Sequence, residues 1–230
     1  MNTLLYVSSI RPLDDSEYYD LAYSLVSETR QKKTDQYLNS EDKKRSLTAE
    51  LLLKKALTDQ GKDLNDLTYK YNDYGKPKLK DIGDFCFNIS HSGDYVILAV
   101  SVKEIGCDIE KIRNRDLKIA KRFFADKEYE DLLKIEDEEE RRKMFYLYWV
   151  LKESFIKFNG KGLSQPLDSF WININKDKKI SVHDQSGDAG LYLKYFDIIP
   201  GYFIGICSYD EEADVIMNDL NELMEKGICL

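Results

Sequence analysis

The sequence has 230 residues, of which 43% are hydrophobic, and a formal net charge of −8. This acidic balance argues against general nucleic-acid binding, because phosphate backbones attract basic surfaces. No apolar run approaches the roughly 20 residues that a membrane span needs, and the N-terminus lacks the pattern of a signal peptide, so we expect a cytoplasmic protein without membrane attachment.

Four cysteines, Cys86, Cys107, Cys207 and Cys229, lie far apart without a Cys-x-x-Cys pair. The first three occur in apolar, strand-like runs. We therefore expect buried free thiols rather than a disulfide framework or a zinc site.

Two helices and a loop are predicted in the first half of the chain. Capping side chains at 14–16 precede apolar residues at helical spacing, and Ser40 is the predicted N-cap of a second helix. Gly75 and Pro77 then enforce a loop that holds Lys76 between them. A short strand is predicted over 85–89, followed by a tight connection over 90–94.

Asp108 and Glu110 lie one residue apart in an apolar run. The segments 95–102 and 105–110 are rich in β-branched and apolar residues and, with a Lys-Glu turn between them, predict a β-hairpin. Residues i and i+2 of a strand point to the same face, so the two carboxylates project together. Such a pair suits a divalent cation, and Mg²⁺ typically accepts one or two protein carboxylates. The alternative is a solvated strand end with two surface acids.

The strongest helical pattern covers residues 144–158. One of its stripes is apolar and should face the core, and another places Trp149, Glu153 and Lys157 at successive i+4 steps. Glu153 would complete a metal site with the two strand carboxylates if this helix packs across the strand end. Lys157 would then reach a phosphate oxygen bound to the same metal. The alternative is an ordinary exposed ion pair between Glu153 and Lys157.

The remaining pattern concerns the overall architecture. Short apolar runs separated by turns predict antiparallel strands over 170–209, and a final helix is predicted over 210–226. Both halves contain helical segments followed by short strands, which predicts two similar α/β lobes. We expect an α+β fold with mainly antiparallel sheets and packed helices. The predicted lobes are 1–103 on the N-terminal side and 104–230 on the C-terminal side.

Three further residues have two interpretations each. His91 lies in a Ser-His-Ser-Gly segment whose donors suit an anion, although many loop histidines have no such role. Glu128, near the start of a predicted helix, is typical of a surface acid that complements the helix dipole, and a catalytic base is the alternative. We interpret His183 as structural or exposed.

Five short segments follow one another in order between residues 75 and 162. They read Gly-Lys-Pro, Phe-Asn-Ile-Ser-His-Ser, Ile-Gly-Cys-Asp-Ile-Glu, Phe-Phe-x-x-x-Glu-Tyr and Trp-Val-Leu-Lys-Glu-Ser-Phe-x-Lys. Together they resemble the ordered motif set of the Sfp-type 4′-phosphopantetheinyl transferases. The chain length resembles the pseudo-dimeric members rather than the half-length, trimeric holo-acyl-carrier-protein synthases. A departure is Cys107, where Ile or Val is usual.

The resemblance implies a reaction and a set of binding residues. It implies transfer of 4′-phosphopantetheine from coenzyme A to a serine of an apo acyl or peptidyl carrier protein, with Mg²⁺ as cofactor and 3′,5′-ADP as the second product. The implied metal ligands are Asp108, Glu110 and Glu153. The residues implied to bind coenzyme A are Arg45, Gly75, Lys76, Pro77, Ser90, His91 and Lys157. Either Lys32 or Lys33 would assist.

The implied catalytic residues are Glu128, Glu153 and Lys157. Magnesium and Lys157 would supply most of the charge stabilisation. Glu128 is the leading candidate for accepting the serine proton, and Glu153 or a metal-bound water are the alternatives. We expect a monomer. Two other functions fit the same residues: a magnesium-dependent diphosphate hydrolase, and a non-catalytic module that binds coenzyme A or a carrier protein.

Overall fold

The structure, a computed structural model, describes residues 2–62, 67–114, 117–175, 179–185 and 187–225. Its helices are α1 (Ser16–Leu25), α2 (Glu28–Asp35), α3 (Ser40–Asp59), α4 (Ala120–Phe123), α5 (Asp126–Leu133), α6 (Glu138–Asn159) and α7 (Leu220–Glu225). Its strands are β1 (Thr3–Ser9), β2 (Tyr69–Tyr71), β3 (Pro77–Leu79), β4 (Cys86–Ser92), β5 (Tyr95–Ser101), β6 (Gly106–Lys111), β7 (Trp171–Ile174), β8 (Ile180–Asp184), β9 (Gly187–Asp188), β10 (Tyr192–Phe196), β11 (Tyr202–Ser208) and β12 (Ala213–Asn218).

Two long helices each pack on one sheet. Helix α3 lies on the sheet with strand order β12-β1-β5-β4, and α6 lies on the sheet with order β10-β11-β6. Leu51 of α3 and Leu151 of α6 are both fully buried, as expected for the apolar stripes of amphipathic helices. A third apolar cluster joins residues of both sheets, among them Val7 and Ile109. The predicted α+β class with two similar lobes is confirmed.

Strands β4 and β6 adjoin where the two sheets meet, and side chains of β4 bond to β6. Asn88 Oδ1 accepts a hydrogen bond from Cys107 N at 2.8 Å, and Ser92 Oγ accepts one from Lys111 N at 3.1 Å. These bonds satisfy backbone donors of β6 on the side away from β11. We call this contact between β4 and β6 the seam.

The predicted hairpin over 95–110 is wrong, although both of its arms are strands. Strand β5 pairs with β1 and β4, whereas β6 pairs with β11 in the other sheet. Tight hairpins favour Asn or Gly with positive φ in the turn, and Lys103-Glu104 offers neither. The residue types therefore predicted both strands correctly, but β6 pairs with a segment that lies about a hundred residues later in the chain.

Two other boundaries also differ from the predictions. Strand β4 continues through Ser90 and His91, so these residues belong to a strand rather than to a connection, and the turn begins at Gly93. Asn39 rather than Ser40 is the N-cap of α3, because its side chain accepts a hydrogen bond from Glu41 N. Both errors arise because Ser and Asn are residue types that favour helix caps and turns.

The predicted helix over 210–226 is wrong over most of its length. Residues 213–218 form β12, which pairs parallel with β1, and only 220–225 are helical, whereas residue 226 lies outside the described residues. Ala213 and Val215 pack toward the cluster between the sheets while Ile216 packs toward the core under α3, which is the alternation of a strand.

Two further properties of the fold are the burial of its thiols and the apolarity of its helices. Cys107 and Cys207 are buried free thiols, Cys86 is a half-buried free thiol, and Cys229 lies outside the described residues. Within the parts of the chain that the structure describes, no helix has the length and apolarity needed to cross a membrane.

Candidate active site

Asp108 lies on β6 at the seam and is only 5% exposed. Its Oδ1 accepts hydrogen bonds from Ser90 Oγ at 2.7 Å and from Lys157 Nζ at 2.6 Å, and Lys157 also donates to Ser90 Oγ at 2.8 Å. Its Oδ2 is buried and has no hydrogen-bond partner among the described residues. A buried, unpartnered carboxylate oxygen is costly, which points to a ligand at this position.

Glu110 faces the same side of β6 as Asp108. Ser92 Oγ donates a hydrogen bond to Glu110 Oε2 at 2.9 Å, in parallel with the bond between Ser90 and Asp108. The intervening Ile109 is buried in the cluster between the sheets. The two carboxylates therefore project together, as expected for residues i and i+2.

Glu153 of α6 lies close enough to the same two carboxylates for their charges to affect it. Burial, followed by the negative charge of Asp108, raises the pKa of Glu153 to about 6, with a smaller contribution from Glu110 and an opposing one from Lys157. Burial lowers the pKa of Lys157, but Asp108 and other neighbours outweigh this effect and the net pKa is raised. Three carboxylates thus share one partly buried region with Lys157.

Two glycines bring α6 this close to the sheet. A Cβ atom on Gly205 of β11 would lie 2.6 Å from Val150 O, and one on Gly106 of β6 would lie 2.8 Å from Phe158 Cα and overlap Ser154 O. The helix backbone therefore rests directly on these strands. Because Glu153 and Lys157 lie on this side of α6, the close approach brings them to the seam.

The chemistry of these residues fits a hard divalent cation. Carboxylate oxygens are the ligands that Mg²⁺ prefers, and Asp108 Oδ2 is available for such a bond. The three carboxylates do not, however, form an assembled metal site. Among the described residues, no three His, Cys, Asp or Glu side chains are arranged to hold a metal ion. The Lys157 ammonium instead balances part of their charge through Asp108 Oδ1.

A cavity of about 190 Å³ lies in the N-terminal lobe beside the hairpin of β2 and β3. Its apolar and aromatic lining includes Tyr69, Pro77, Phe87 and Ile89, with Gly75 at the turn and the cations Arg30 and Lys33. Burial, followed by the charge of Arg30, lowers the pKa of Lys33. Lys32 instead lies on the exposed surface, where it pairs with Glu28. Of the two predicted lysines, Lys33 is therefore the one that lines the cavity.

Arg45 and Lys157 place two cationic groups beside His91 on the N-terminal side of the seam. Arg45 donates to Gly93 O at 2.7 Å and pairs with Asp42 at 2.6 Å, while its buried Nε has no hydrogen-bond partner among the described residues. His91 is exposed, yet partial burial of the ring, followed by the charges of Arg45 and Lys157, lowers its pKa. This region suits an anion in a chain of net charge −8.

Comparisons with known proteins agree on one family. Residues 104–207 match the family model described as the 4′-phosphopantetheinyl transferase superfamily, and residues 12–103 match that of a 4′-phosphopantetheinyl transferase N-terminal domain. The chain is 38% identical over 217 residues to the 4′-phosphopantetheinyl transferase Sfp of Bacillus subtilis, covering 93% of this chain and 96% of that protein. The chain belongs to the Sfp-type 4′-phosphopantetheinyl transferases.

A further relative has the same name, and one solved structure aligns with part of the chain. A 4′-phosphopantetheinyl transferase of Aneurinibacillus migulanus is 34% identical over 84% of this chain and 81% of its own. A crystal structure of holo-[acyl-carrier-protein] synthase from Thermotoga maritima aligns with 47% of this chain and 64% of its own at 18% identity and a TM-score of 0.39.

Glu128 of this transferase is enclosed by other parts of the protein and is only 1% exposed. Its Oε1 accepts hydrogen bonds from Lys152 Nζ at 2.8 Å and Ile172 N at 2.6 Å, and its Oε2 accepts them from Lys152 Nζ at 2.6 Å and Ala125 N at 2.8 Å. Lys152 also donates to Phe170 O at 2.8 Å. Glu128 is thus part of a buried ion pair that ties α5 and β7 to α6, and this position does not favour proton acceptance from a substrate.

Lys152 is a residue that the sequence analysis missed. It follows Leu151 on the apolar side of α6 and is fully buried. The sequence feature that could have identified Lys152 is its position within the apolar stripe of the helix, because buried lysines are almost always paired with a carboxylate.

The transferase also has a larger groove, of about 730 Å³, between β8 and β10. Its lining includes Asn173, Ser181 and Tyr192 but none of the predicted site residues. Size alone is thus a poor guide to the site in this protein, and the seam is where the predicted residues Ser90, Asp108, Glu110 and Lys157 meet.

Proposed function

We propose that this transferase moves the 4′-phosphopantetheine group of coenzyme A to a serine hydroxyl of an apo acyl or peptidyl carrier protein. The serine oxygen forms a bond to the β-phosphorus, the bond from this phosphorus to the bridging oxygen breaks, and 3′,5′-ADP leaves with the electron pair. The observation that carries the proposal is the meeting of Asp108, Ser90 and Lys157 at the seam. Family membership supports the same reaction.

The nucleotide end of coenzyme A is proposed to bind on the N-terminal side of the seam. The cavity lined by Gly75 and Pro77 offers aromatic surface for the base, and Lys33 offers a cation beside it. The Arg45 guanidinium beside His91 suits the 3′-phosphate, because Arg45 Nε has no partner among the described residues. Ser90 and Lys157 then lie on the path toward the diphosphate.

Mg²⁺ is proposed to bind between Asp108, Glu110 and Glu153. When bound, it would neutralise charge on the diphosphate and stabilise the transition state electrostatically. Ser90 and Ser92 hold Asp108 and Glu110 in place through their hydroxyl groups. The raised pKa of Glu153, caused by burial and the neighbouring carboxylates, is the response expected of a ligand cluster before a cation joins it.

Lys157 is proposed to bind the phosphate on which the reaction takes place. Its side chain is 28% exposed, so Lys157 is partly accessible to solvent although its ammonium bonds to Asp108. A lysine on a flexible stem readily exchanges one anionic partner for another. Its positive charge would stabilise the phosphoryl group during transfer.

The proton of the attacking serine is proposed to pass to Glu153, directly or through water. Glu153 lies close to Asp108 and Glu110 at the seam, whereas all the oxygens of Glu128 are engaged in the buried pair with Lys152 and with backbone donors. Geometry therefore supports Glu153 over Glu128.

We propose that one chain is sufficient for activity, because strands and helices of both lobes supply the site. The division between the lobes at residues 103 and 104 remains a proposal. Strand β12 and helix α7 pack with the N-terminal lobe although they follow the C-terminal one, since β12 pairs with β1 and Leu223 joins the core under α3.

Intact-mass measurement tests the proposed function. Purified protein is incubated with coenzyme A and several apo acyl and peptidyl carriers, with Mg²⁺ or with a chelator, and free 3′,5′-ADP is measured in parallel. We expect at least one carrier to gain a single phosphopantetheine, with an equal amount of 3′,5′-ADP, only when Mg²⁺ is present. Release of 3′,5′-ADP without a carrier would instead indicate a diphosphate hydrolase, and coenzyme A binding without either product would indicate a binding module.

A further inference from the structure

The turn between β2 and β3 is held rigidly by the side chain of Asn72. Its Oδ1 accepts hydrogen bonds from Tyr74 N at 3.0 Å and Lys76 N at 2.8 Å, and Asn72 N donates to Lys76 O at 3.1 Å. Gly75 has a φ of +87°, a conformation that favours glycine. The direction in which the Lys76 side chain leaves this turn is therefore fixed.

The Lys76 side chain leads away from the cavity that Gly75 and Pro77 line. Its ammonium donates to Ile105 O at 2.9 Å, to Phe158 O at 3.1 Å and to Glu104 Oε2 at 3.0 Å. An ammonium group has three donors, so these three contacts use all of them. Only 8% of the side chain is exposed, and contact with a phosphate would require breaking one of these bonds.

The acceptors of Lys76 lie in or next to the two elements that bear the proposed site. Phe158 directly follows Lys157 in the last turn of α6, and Ile105 directly precedes β6, which bears Asp108. A cation is favourable at this end of a helix because carbonyl groups there lack partners within the helix.

A second contact between the turn and α6 supports the first. Asn72 Nδ2 donates to Gly160 O at 2.8 Å, and Gly160 ends the helix with a φ of +66°. A Cβ atom on Gly160 would lie 2.9 Å from Asn72 Nδ2 and 3.0 Å from Lys76 Cδ. The turn is thus packed closely against the end of α6.

We propose that Lys76 is a positioning residue that holds the end of α6 and the start of β6 against the nucleotide turn, so that Lys157 meets Asp108 and the phosphate. This inference rests on the proposed function for its catalytic consequence. It departs from the interpretation of Lys76 as a nucleotide ligand, since the ammonium group bonds to protein rather than to the cavity. The turn would then link coenzyme A binding at Gly75 and Pro77 to the placement of Lys157.

The test compares Lys76→Met with Lys78→Met in the full chain. Lys78, two residues further along on β3, pairs with the same carboxylate, Glu104, but its side chain is 41% exposed and it has no role in the proposed site. Three quantities are measured: the Kd of coenzyme A by calorimetry without a carrier, kcat and KM for carrier modification, and amide hydrogen exchange over residues 156–160.

For Lys76→Met we expect kcat to fall about tenfold or more while the Kd of coenzyme A changes less than about threefold. The substitution would disturb the placement of Lys157 but would not remove a residue that contacts coenzyme A. Amide exchange over residues 156–160 should become faster, starting with the Gly160 amide that donates to Ile156 O. Lys78→Met should match the wild type in all three measurements. If Lys76→Met does not fold, Asn72→Ala, which removes the hydrogen bond from the turn to Gly160 O, should still lower kcat and speed exchange over residues 156–160.

Two results would overturn the inference. A rise of about tenfold in the Kd of coenzyme A at unchanged kcat would make Lys76 a nucleotide ligand. Unchanged exchange over residues 156–160 would show that Lys76 does not hold the end of α6. If the wild-type protein modifies no carrier, the proposed function fails, but the exchange measurement still decides whether Lys76 acts as a clamp.

Discussion

Lys157 and Asp108 form an ion pair between α6 and β6, with Nζ 2.6 Å from Oδ1. The same ammonium bonds Ser90 Oγ, so one cation joins a helix of the C-terminal lobe to both strands of the seam. The other oxygen of Asp108 is buried without a partner among the described residues. Asp108 thus has one oxygen directed to the lysine and one free for a second cation, which is the basis of the proposed magnesium site.

Removal of the Lys157 charge should impair catalysis more than binding. Lys157→Met keeps the apolar stem, and we expect kcat for carrier modification to fall about 10²- to 10³-fold because charge stabilisation is lost. Steady-state kinetics with coenzyme A and a carrier measure this. Lys143→Met, at an exposed position of the same helix, is the control and should retain wild-type rates. Lys157→Met activity within a few-fold of wild type would contradict the assigned role.

Arg45 should distinguish coenzyme A from its 3′-dephospho analogue. For Arg45→Ala we expect KM for coenzyme A to rise about tenfold, because a charge-assisted contact contributes roughly 1.5 to 3 kcal/mol. KM for 3′-dephospho-coenzyme A should change little. Arg11→Ala removes a largely exposed arginine and serves as the control. Equal losses on both substrates would remove Arg45 from the 3′-phosphate site.

The buried pair of Glu128 and Lys152 should affect stability. Glu128→Gln leaves the Lys152 ammonium buried without its counter-charge, and we expect the free energy of unfolding to fall by about 3 to 5 kcal/mol. The double variant Glu128→Gln with Lys152→Met should recover most of this loss, as measured by denaturant titration. It should also retain the pH–rate profile of carrier modification. A stable double variant without transfer activity would restore Glu128 as a candidate base.

Glu153 should make the stability of the metal-free protein depend on pH. Its pKa is about 6 in the folded protein and 4.5 ordinarily, so the folded state binds this proton more tightly than the unfolded chain. The resulting stabilisation is full below pH 4.5 and is lost as the pH rises through about 6. Relative to Glu153→Gln, the wild type should lose up to about 2 kcal/mol of unfolding free energy across this window.

Denaturant titrations in the presence of a chelator check this expectation. Glu139→Gln is a suitable control because the Glu139 side chain is 71% exposed on the first turn of the same helix. Parallel pH curves for the wild type and Glu153→Gln would show that burial and the neighbouring carboxylates do not raise the pKa of Glu153 as described.

Local periodicity predicted the elements that bear the site. The 3.6-residue pattern of α6 correctly placed Glu153 and Lys157 on one side and Leu151 on the buried side. The alternation in β6 correctly separated Asp108 from Ile109. These patterns are readable because each depends on residues only a few positions apart.

Contacts between distant segments were not predictable in the same way. The partner of β6, the three acceptors of Lys76 and the pairing of Lys152 with Glu128 depend on how the lobes pack. Ser90 and His91 lie in a segment whose residue types are typical of turns, and only their pairing with β5 makes them part of a strand. The resemblance supplied the motif set but not the direction of the Lys76 side chain.

The most direct test of the magnesium site measures how Mg²⁺ changes the affinity for coenzyme A. Calorimetric titrations compare the wild type with Asp108→Asn, with Mg²⁺ and with a chelator, in the absence of a carrier. We expect Mg²⁺ to tighten coenzyme A binding by about tenfold or more in the wild type and to have no effect in Asp108→Asn, because Asp108 would hold the cation that neutralises the diphosphate. An equal effect of Mg²⁺ on both proteins would contradict the proposed site.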